Sequence, residues 1–455
     1  MAKRDIPDAF EVDEISFRDC FSAPSYRHFV LLVTGWVLTV GTHTISRVIL
    51  TMGLERSWHF ASVYRFLSQA VWDPNSVSEK LFMRLVEVLV AVGAEVWVVL
   101  DDTLNKHRGP KICGAAWQHD GSAPKKSKSP FGYGLCFVVI GLAVRLPGIS
   151  GRVFCLPFAA RLWWPQSAKI KPKGKPYRTR PELGLELVQL TRGWLAEGRL
   201  LRLITDISYC CETLMKGRPR GVHITGRVRK DSSLYDLPEP HKKGTRGRPR
   251  KKGKRLPTPE AMFEDPDLSW KRIRVTTYGK THWVLVYWFE AIWYHSAGNQ
   301  ILLLVLVRGP RASQPDTVFL ETDRTCTARE VIERYAARWS IEITNREVKH
   351  LLGSADPQCR TENSVLRAPM IAHWAYCLVV LWFVGQWRTG KRFLIMTGPW
   401  YLLKSSISFA DMLAAARRSR FSVRILREVR ENPHLAKFDC ARCTRGIEHT
   451  INAKV

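Results

Sequence analysis

The chain has 455 residues, 45% of them hydrophobic, which is enough apolar material for a substantial core in about two to four domains and excludes a disordered polymer. Seventy Lys and Arg against 41 Asp and Glu give a formal charge of +29, a balance that makes nucleic acid the first partner to consider, ahead of a ribosome- or membrane-associated role. Eleven scattered cysteines, behind a Met1-Ala-Lys-Arg-Asp5 opening with no apolar stretch, argue against a secreted disulfide scaffold and for reduced thiols in the cytoplasm.

The first 90 residues read as helices, at Tyr26 to Val40, Thr44 to Met52 and Ser62 to Leu67, with Gly53 as a turn. The arrangement is helix-turn-helix-like and offers Arg47, His59 and Arg65 to phosphate, but a plain helical bundle with a glycine turn fits it equally. From Glu95 the pattern changes to strands: Val96 to Leu100, Phe131 to Val144 and Arg152 to Pro157. A helix from Pro181 to Glu197 and the strand Leu201 to Asp206 follow, so the fold class is α/β. The stretch from Asp206 to Glu342 is longer than one core connection needs, and its second half reads as β: Arg272 to Thr277, His282 to Phe289 and Gln300 to Val307, with a hairpin turn at Tyr278-Gly-Lys-Thr281. The chain returns to the core at the strand Val318 to Thr322. Met370 to Trp387 is apolar enough to suggest a membrane span, but its place behind the Glu342 segment and the high overall charge favour a buried helix. A basic helical tail holds Met412 to Arg420.

Three carboxylates stand out: Asp102 after the run Val96-Trp-Val-Val-Leu100, Asp206 at the end of its strand, and Glu342 on a helix. Acids at two strand ends and on one helix are how a protein holds a pair of divalent cations for phosphodiester chemistry. Asp101 and Asp102 are neighbours pointing to opposite faces of the strand, so either is a candidate first acid. At about 100° per residue, a continuous helix would put Tyr335, Arg338, Glu342 and Lys349 in one stripe about 60° wide, with Glu347 about 120° away.

The segment 241–255 holds nine Lys or Arg and no acid, among them Arg246, Arg248, Arg250, Lys251 and Lys252. Arg246-Gly-Arg-Pro249 resembles an AT-hook core, and a loop with only nonspecific affinity fits as well. Six more cations lie between Lys169 and Arg180. Cys440-Ala-Arg-Cys443 has zinc-knuckle spacing without a second pair nearby. Trp283, Trp288 and Trp293 suit core packing, or the stacking of an extruded base if one ring is exposed.

The spacing Tyr335-x2-Arg338-x3-Glu342-x6-Lys349, with Asp102-Thr103 and Thr205-Asp206 before it, resembles insertion-sequence DDE transposases. The resemblance covers roughly 95 to 385 and implies a ribonuclease-H-like catalytic core interrupted by a mainly β insertion domain. The implied domains are a helical DNA-binding region at 1–90, a first core part at 91–210, the insertion at 211–317, a second core part at 318–390 and a helical basic region at 391–455. Thr103 selects Asp102 over Asp101 by this resemblance. Asp102, Asp206 and Glu342 would then bind two Mg²⁺ ions, with Mn²⁺ as a substitute. Tyr335, Arg338, Arg346, Lys349, Arg227, Arg229 and the basic loop would hold double-stranded DNA, both terminal inverted repeats and target. The implied assembly is a homodimer in a synaptic complex, cytoplasmic and nucleoid-associated. A non-enzymatic DNA-binding protein and a metal-dependent nuclease without strand joining are the rival functions.

Overall fold

The structure, a computed structural model, describes residues 17–121, 123, 130–240, 248–309, 315–393 and 406–431. Ten strands form one mixed sheet: β1 Val96–Lys106, β2 Ala116–His119, β3 Phe131–Leu146, β4 Ser150–Trp163, β5 Leu201–Thr205, β6 Val222–Val228, β7 Lys271–Thr277, β8 Lys280–Ile292, β9 Ile301–Arg308 and β10 Thr317–Glu321. Their order is β2-β3-β1-β5-β6-β10-β9-β8-β7, with β4 also paired to β3. β1, β5 and β6 run parallel, and every residue of β5 is buried, as a parallel strand covered on both faces requires.

The strands Lys271–Thr277, Lys280–Ile292 and Ile301–Arg308 form no sheet of their own. β10 bonds β6 along one edge and β9 along the other, so these strands extend the central sheet. Residues 222–228, expected within the insertion, instead form β6 beside β5. Its interior Gly226, where a Cβ would collide with Cys210 Sγ, weakens the strand signal in the sequence.

The helices are α1 Ala23–Leu38, α2 Ile45–Thr51, α3 Phe60–Ser68, α4 Pro74–Leu89, α5 Arg180–Trp194, α6 Glu212–Gly217, α7 Pro259–Glu264, α8 Tyr294–Ala297, α9 Ala328–Ala336, α10 Trp339–Leu351, α11 Glu362–Arg388 and α12 Phe409–Glu431. Their starts follow local chemistry. Asp73 accepts from Asn75 N ahead of Pro74, and Thr179–Glu182 and Thr327–Glu330 form capping boxes on α5 and α9. α11 contains the apolar run 370–387 and is long and apolar enough to cross a membrane, yet 94% of its apolar window lies inside the fold. Trp36 Nε1 donates to Leu352 O at 2.6 Å, Trp374 Nε1 to Phe158 O at 3.0 Å, and Arg367 to the carbonyls of Ala70 and Trp72. These bonds tie the N-terminal helices and α11 into the core that also holds the sheet. Arg47 and Arg65 remain exposed, while His59 accepts from Ala61 N and caps α3.

β7 and β8 close in a two-residue turn, Tyr278-Gly279, with φ of 52° and 75°. Such turns favour Asn-Gly, and Tyr278 is the one non-glycine residue with positive φ among the described residues. Tyr278→Asn is therefore expected to stabilise the protein by about 0.5–1 kcal/mol, read as a higher denaturant midpoint at unchanged slope.

Candidate active site

Alternation along β1 sorts its side chains between two layers of helices. On one face Trp97 lies under the Arg334 guanidinium, Asp101 Oδ2 is 3.4 Å from Arg338 Nη1, and Asn105 donates to Ser354 O, all on or beside α9 and α10. On the other face Leu100 packs at Gly184 of α5, and Asp102 Oδ2 meets Arg180 Nη1 at 3.1 Å and the Tyr209 hydroxyl at 3.4 Å. Arg180 is itself stacked on Trp163, 4.3 Å from the ring centroid. Asp102 thus lies on the Arg180 face of β1 and Asp101 on the Arg338 face, and the negative charge of Asp206 acts on both carboxyls.

Asp206 follows β5 one residue beyond the registered pair Leu100–Thr205, which sets it level with Asp101 across parallel strands. Its carboxylate accepts from the backbone and hydroxyl of Ser208, both at 2.9 Å. Burial pushes the Asp101 carboxyl up to about 7; the negative charges of Asp206 and Asp102 add to the rise and Arg338 opposes it. Burial also raises Asp102, against the pull of Arg180.

The single helix expected from Tyr335 to Lys349 is two helices. α9 stops at Ala336, the chain tightens through the i+3 bonds Arg338 N to Tyr335 O and Ile341 N to Arg338 O, and α10 begins at Trp339. Ala337 and Arg338 keep right-handed helical dihedrals, so Tyr335, Arg338 and Glu342 still lie together, with the Arg338 guanidinium 5.8 Å from the Tyr335 ring centroid. Tyr335 packs on Phe319, centroids 4.8 Å apart, and burial pushes its phenol up to about 12. Arg338, at the joint, donates to Glu342 Oε1 at 2.5 Å while reaching Asp101, so one guanidinium forks between two carboxylates. Lys349 donates to Leu104 O on β1 at 2.9 Å. Burial lowers its ammonium pKa.

α9 is anchored by a buried ionic group that motif reading missed. Glu321, fully buried on β10, accepts from Arg334 Nη1 at 2.8 Å and from Thr225 Oγ1 at 2.5 Å, and Arg202 lies 3.5 Å away. Arg202 also pairs with Glu95 and Asp323, each at 2.6 Å.

Among the described residues, no three His, Cys, Asp or Glu side chains are gathered closely enough to hold a metal ion as they stand. Of the expected DNA contacts, Arg227 lies on β6 near Tyr335, with its Nε buried and unpartnered. Arg229, Arg346, Arg248, Arg250 and Lys251 are exposed, and Lys252 sits 3.6 Å over the Tyr235 ring. Arg246 and the Cys440–Cys443 pair lie outside the described residues. Trp283 and Trp288 are exposed, stacked under Arg272 and Lys271. Trp293 packs against the core.

A family model for DDE superfamily endonucleases matches residues 16–290, well over half of the chain. The chain belongs to the DDE superfamily endonuclease family. In this DDE endonuclease the matched segment contains Asp101, Asp102 and Asp206 and ends before Glu342. The family implies use of a divalent metal. Among solved structures, a cryo-EM structure of a piggyBac transposase synaptic complex with hairpin DNA is similar at a TM-score of 0.43 and 13% identity, over 96% of this chain and 77% of that one. No curated protein matches the DDE endonuclease.

Proposed function

We propose that this DDE endonuclease is a DNA transposase. It binds the terminal inverted repeats of its element, cleaves DNA strands there, and joins the freed 3′-hydroxyls to target DNA, acting as a homodimer in a synaptic complex within the nucleoid. The observation that carries the reading is the placement of Asp101, midway along β1, level with Asp206 just past the end of the parallel strand β5, with Glu342 reached through the same Arg338 fork. On this reading the first acid is Asp101. The order β4-β3-β1-β5-β6, an antiparallel hairpin feeding two parallel strands, supports a ribonuclease-H-like core, with β7, β8 and β9 as its insertion.

The donors suit a hard divalent cation. They are carboxylate oxygens, and burial beside Asp206 makes the charge on Asp101 costly unless a cation offsets it. Asp101, Asp206 and Glu342 would hold two Mg²⁺ ions, which when bound activate the attacking water or 3′-hydroxyl and stabilise the departing oxygen. Arg338 keeps the carboxylates of Asp101 and Glu342 turned toward each other. Arg227, half-buried near Tyr335, and the exposed Arg229, Arg346, Arg248, Arg250 and Lys251 suit phosphates.

Incubation of the full chain with labelled terminal-repeat DNA, a target plasmid and Mg²⁺ or Mn²⁺ tests this. Cleaved ends and joined product are expected. Cleavage without joining would leave a nuclease, and tight binding without cleavage a non-enzymatic DNA-binding protein.

A further inference from the structure

β1 continues for five residues beyond Asp101, about 17 Å at the usual strand rise, and ends beside a cavity of about 1010 Å³. The opposite wall is the loop that leaves α10, the helix of Glu342. Trp117 projects from the short strand β2 with 68% of its surface exposed, its ring edge-on to Tyr133 with centroids 5.8 Å apart. The Tyr133 hydroxyl donates to Gly109 O at 3.2 Å, which fixes that platform to the loop after β1. His107 presents a buried Nε2 without a partner, and burial lowers its pKa and so keeps the ring neutral.

Charge completes the site. Lys106 at its edge is taken by Asp120 at 2.6 Å, and Asp356 accepts from His43 N at 2.7 Å. Among the described residues, Arg108, Lys111 and Arg360 have no acidic partner. A free aromatic face, three uncommitted cations and one neutral imidazole meet the separate demands of an unpaired nucleotide: a base to stack, phosphates to neutralise, and a base edge to hydrogen-bond. A paired duplex keeps its base faces stacked inside and leaves the platform idle.

We infer that this cavity binds a short unpaired DNA segment, roughly five B-form base steps of about 3.4 Å from the acids. The inference rests on the reading of this protein as acting on DNA. The strand entering the acid site then has an unpaired stretch held at a second, distant point, so the site favours DNA that is frayed or already opened beside the reacting phosphate.

The test is fluorescence anisotropy of the full chain, in EDTA, with a labelled thymidine hexanucleotide and with a short labelled duplex. Trp117→Ala and the double variant Arg108→Glu with Arg360→Glu are expected to weaken hexanucleotide binding by about tenfold or more, while Trp117→Ala leaves duplex binding unchanged and Trp117→Phe stays near wild type. Wild-type hexanucleotide affinity in Trp117→Ala, or an equal loss for hexanucleotide and duplex in that variant, would overturn the inference. Binding here needs no divalent ion. A protein that binds the hexanucleotide yet never cleaves therefore counts against the transposase reading and not against this site, and cleavage with no hexanucleotide binding does the reverse.

Discussion

Asp101→Asn is expected to abolish metal-dependent DNA cleavage and at the same time to make the metal-free protein more stable at pH 8. The folded carboxyl titrates near 7 and the unfolded one near 3.8, because burial, with Asp206 beside it, disfavours the charged form. An acid raised in this way has its relative stability intact below pH 4, and the wild-type chain loses it as pH climbs through about 7. The amide carries no such penalty, so the variant gains up to about 4 kcal/mol at pH 8, with the gap closing toward pH 4. Denaturant unfolding of both proteins at several pH values reads this directly. Mg²⁺ should narrow the gap at pH 8 by stabilising the wild type alone. Asp102→Asn, on the opposite face beside Arg180, should keep cleavage. An inactive Asp102→Asn with an active Asp101→Asn would reverse the assignment.

Glu321→Ala is expected to have the largest effect on stability. Glu321 is fully buried, accepts from Arg334 and Thr225, and faces Arg202. Its removal leaves the nearly buried Arg334 guanidinium without an acid, while Arg202 keeps Glu95 and Asp323, and the uncompensated buried charge costs about 3–5 kcal/mol. Arg334 sits one turn before Arg338, so loosened packing of α9 should also lower cleavage by the protein that remains folded. A control is Glu290→Ala, which breaks the exposed pair Arg324–Glu290 and should cost less than about 1 kcal/mol. Thermal unfolding of the three proteins decides the point, and equal losses for the two variants would remove the buried group as the anchor of α9.

Much of the core was legible because its signals are local. The apolar run before Asp101, the proline-started α5 and the Tyr278-Gly279 turn each carry their own instruction in sequence. β6 and β2 were not, since one contains glycine at a crowded crossing and the other is a four-residue edge strand. The choice between Asp101 and Asp102 depends on which face of β1 meets α9 and α10, a tertiary fact; a threonine next door says nothing about it. The helix break at Ala337–Arg338 escaped for a similar reason, because no proline or glycine marks it, and angular arithmetic assumed a continuous rod. Lys349 has the right spacing, but the buried geometry of α10 sends its ammonium to a strand carbonyl. Trp117 gave no sign of exposure in sequence, lying between ordinary strand residues.

Arg338 holds both Asp101 and Glu342 through its side chain alone, so rotation about its side-chain bonds releases the two acids with the backbone in place. The resting protein thus carries its own counterion between the two acids, a latch that keeps like charges from splaying apart before metal and DNA arrive.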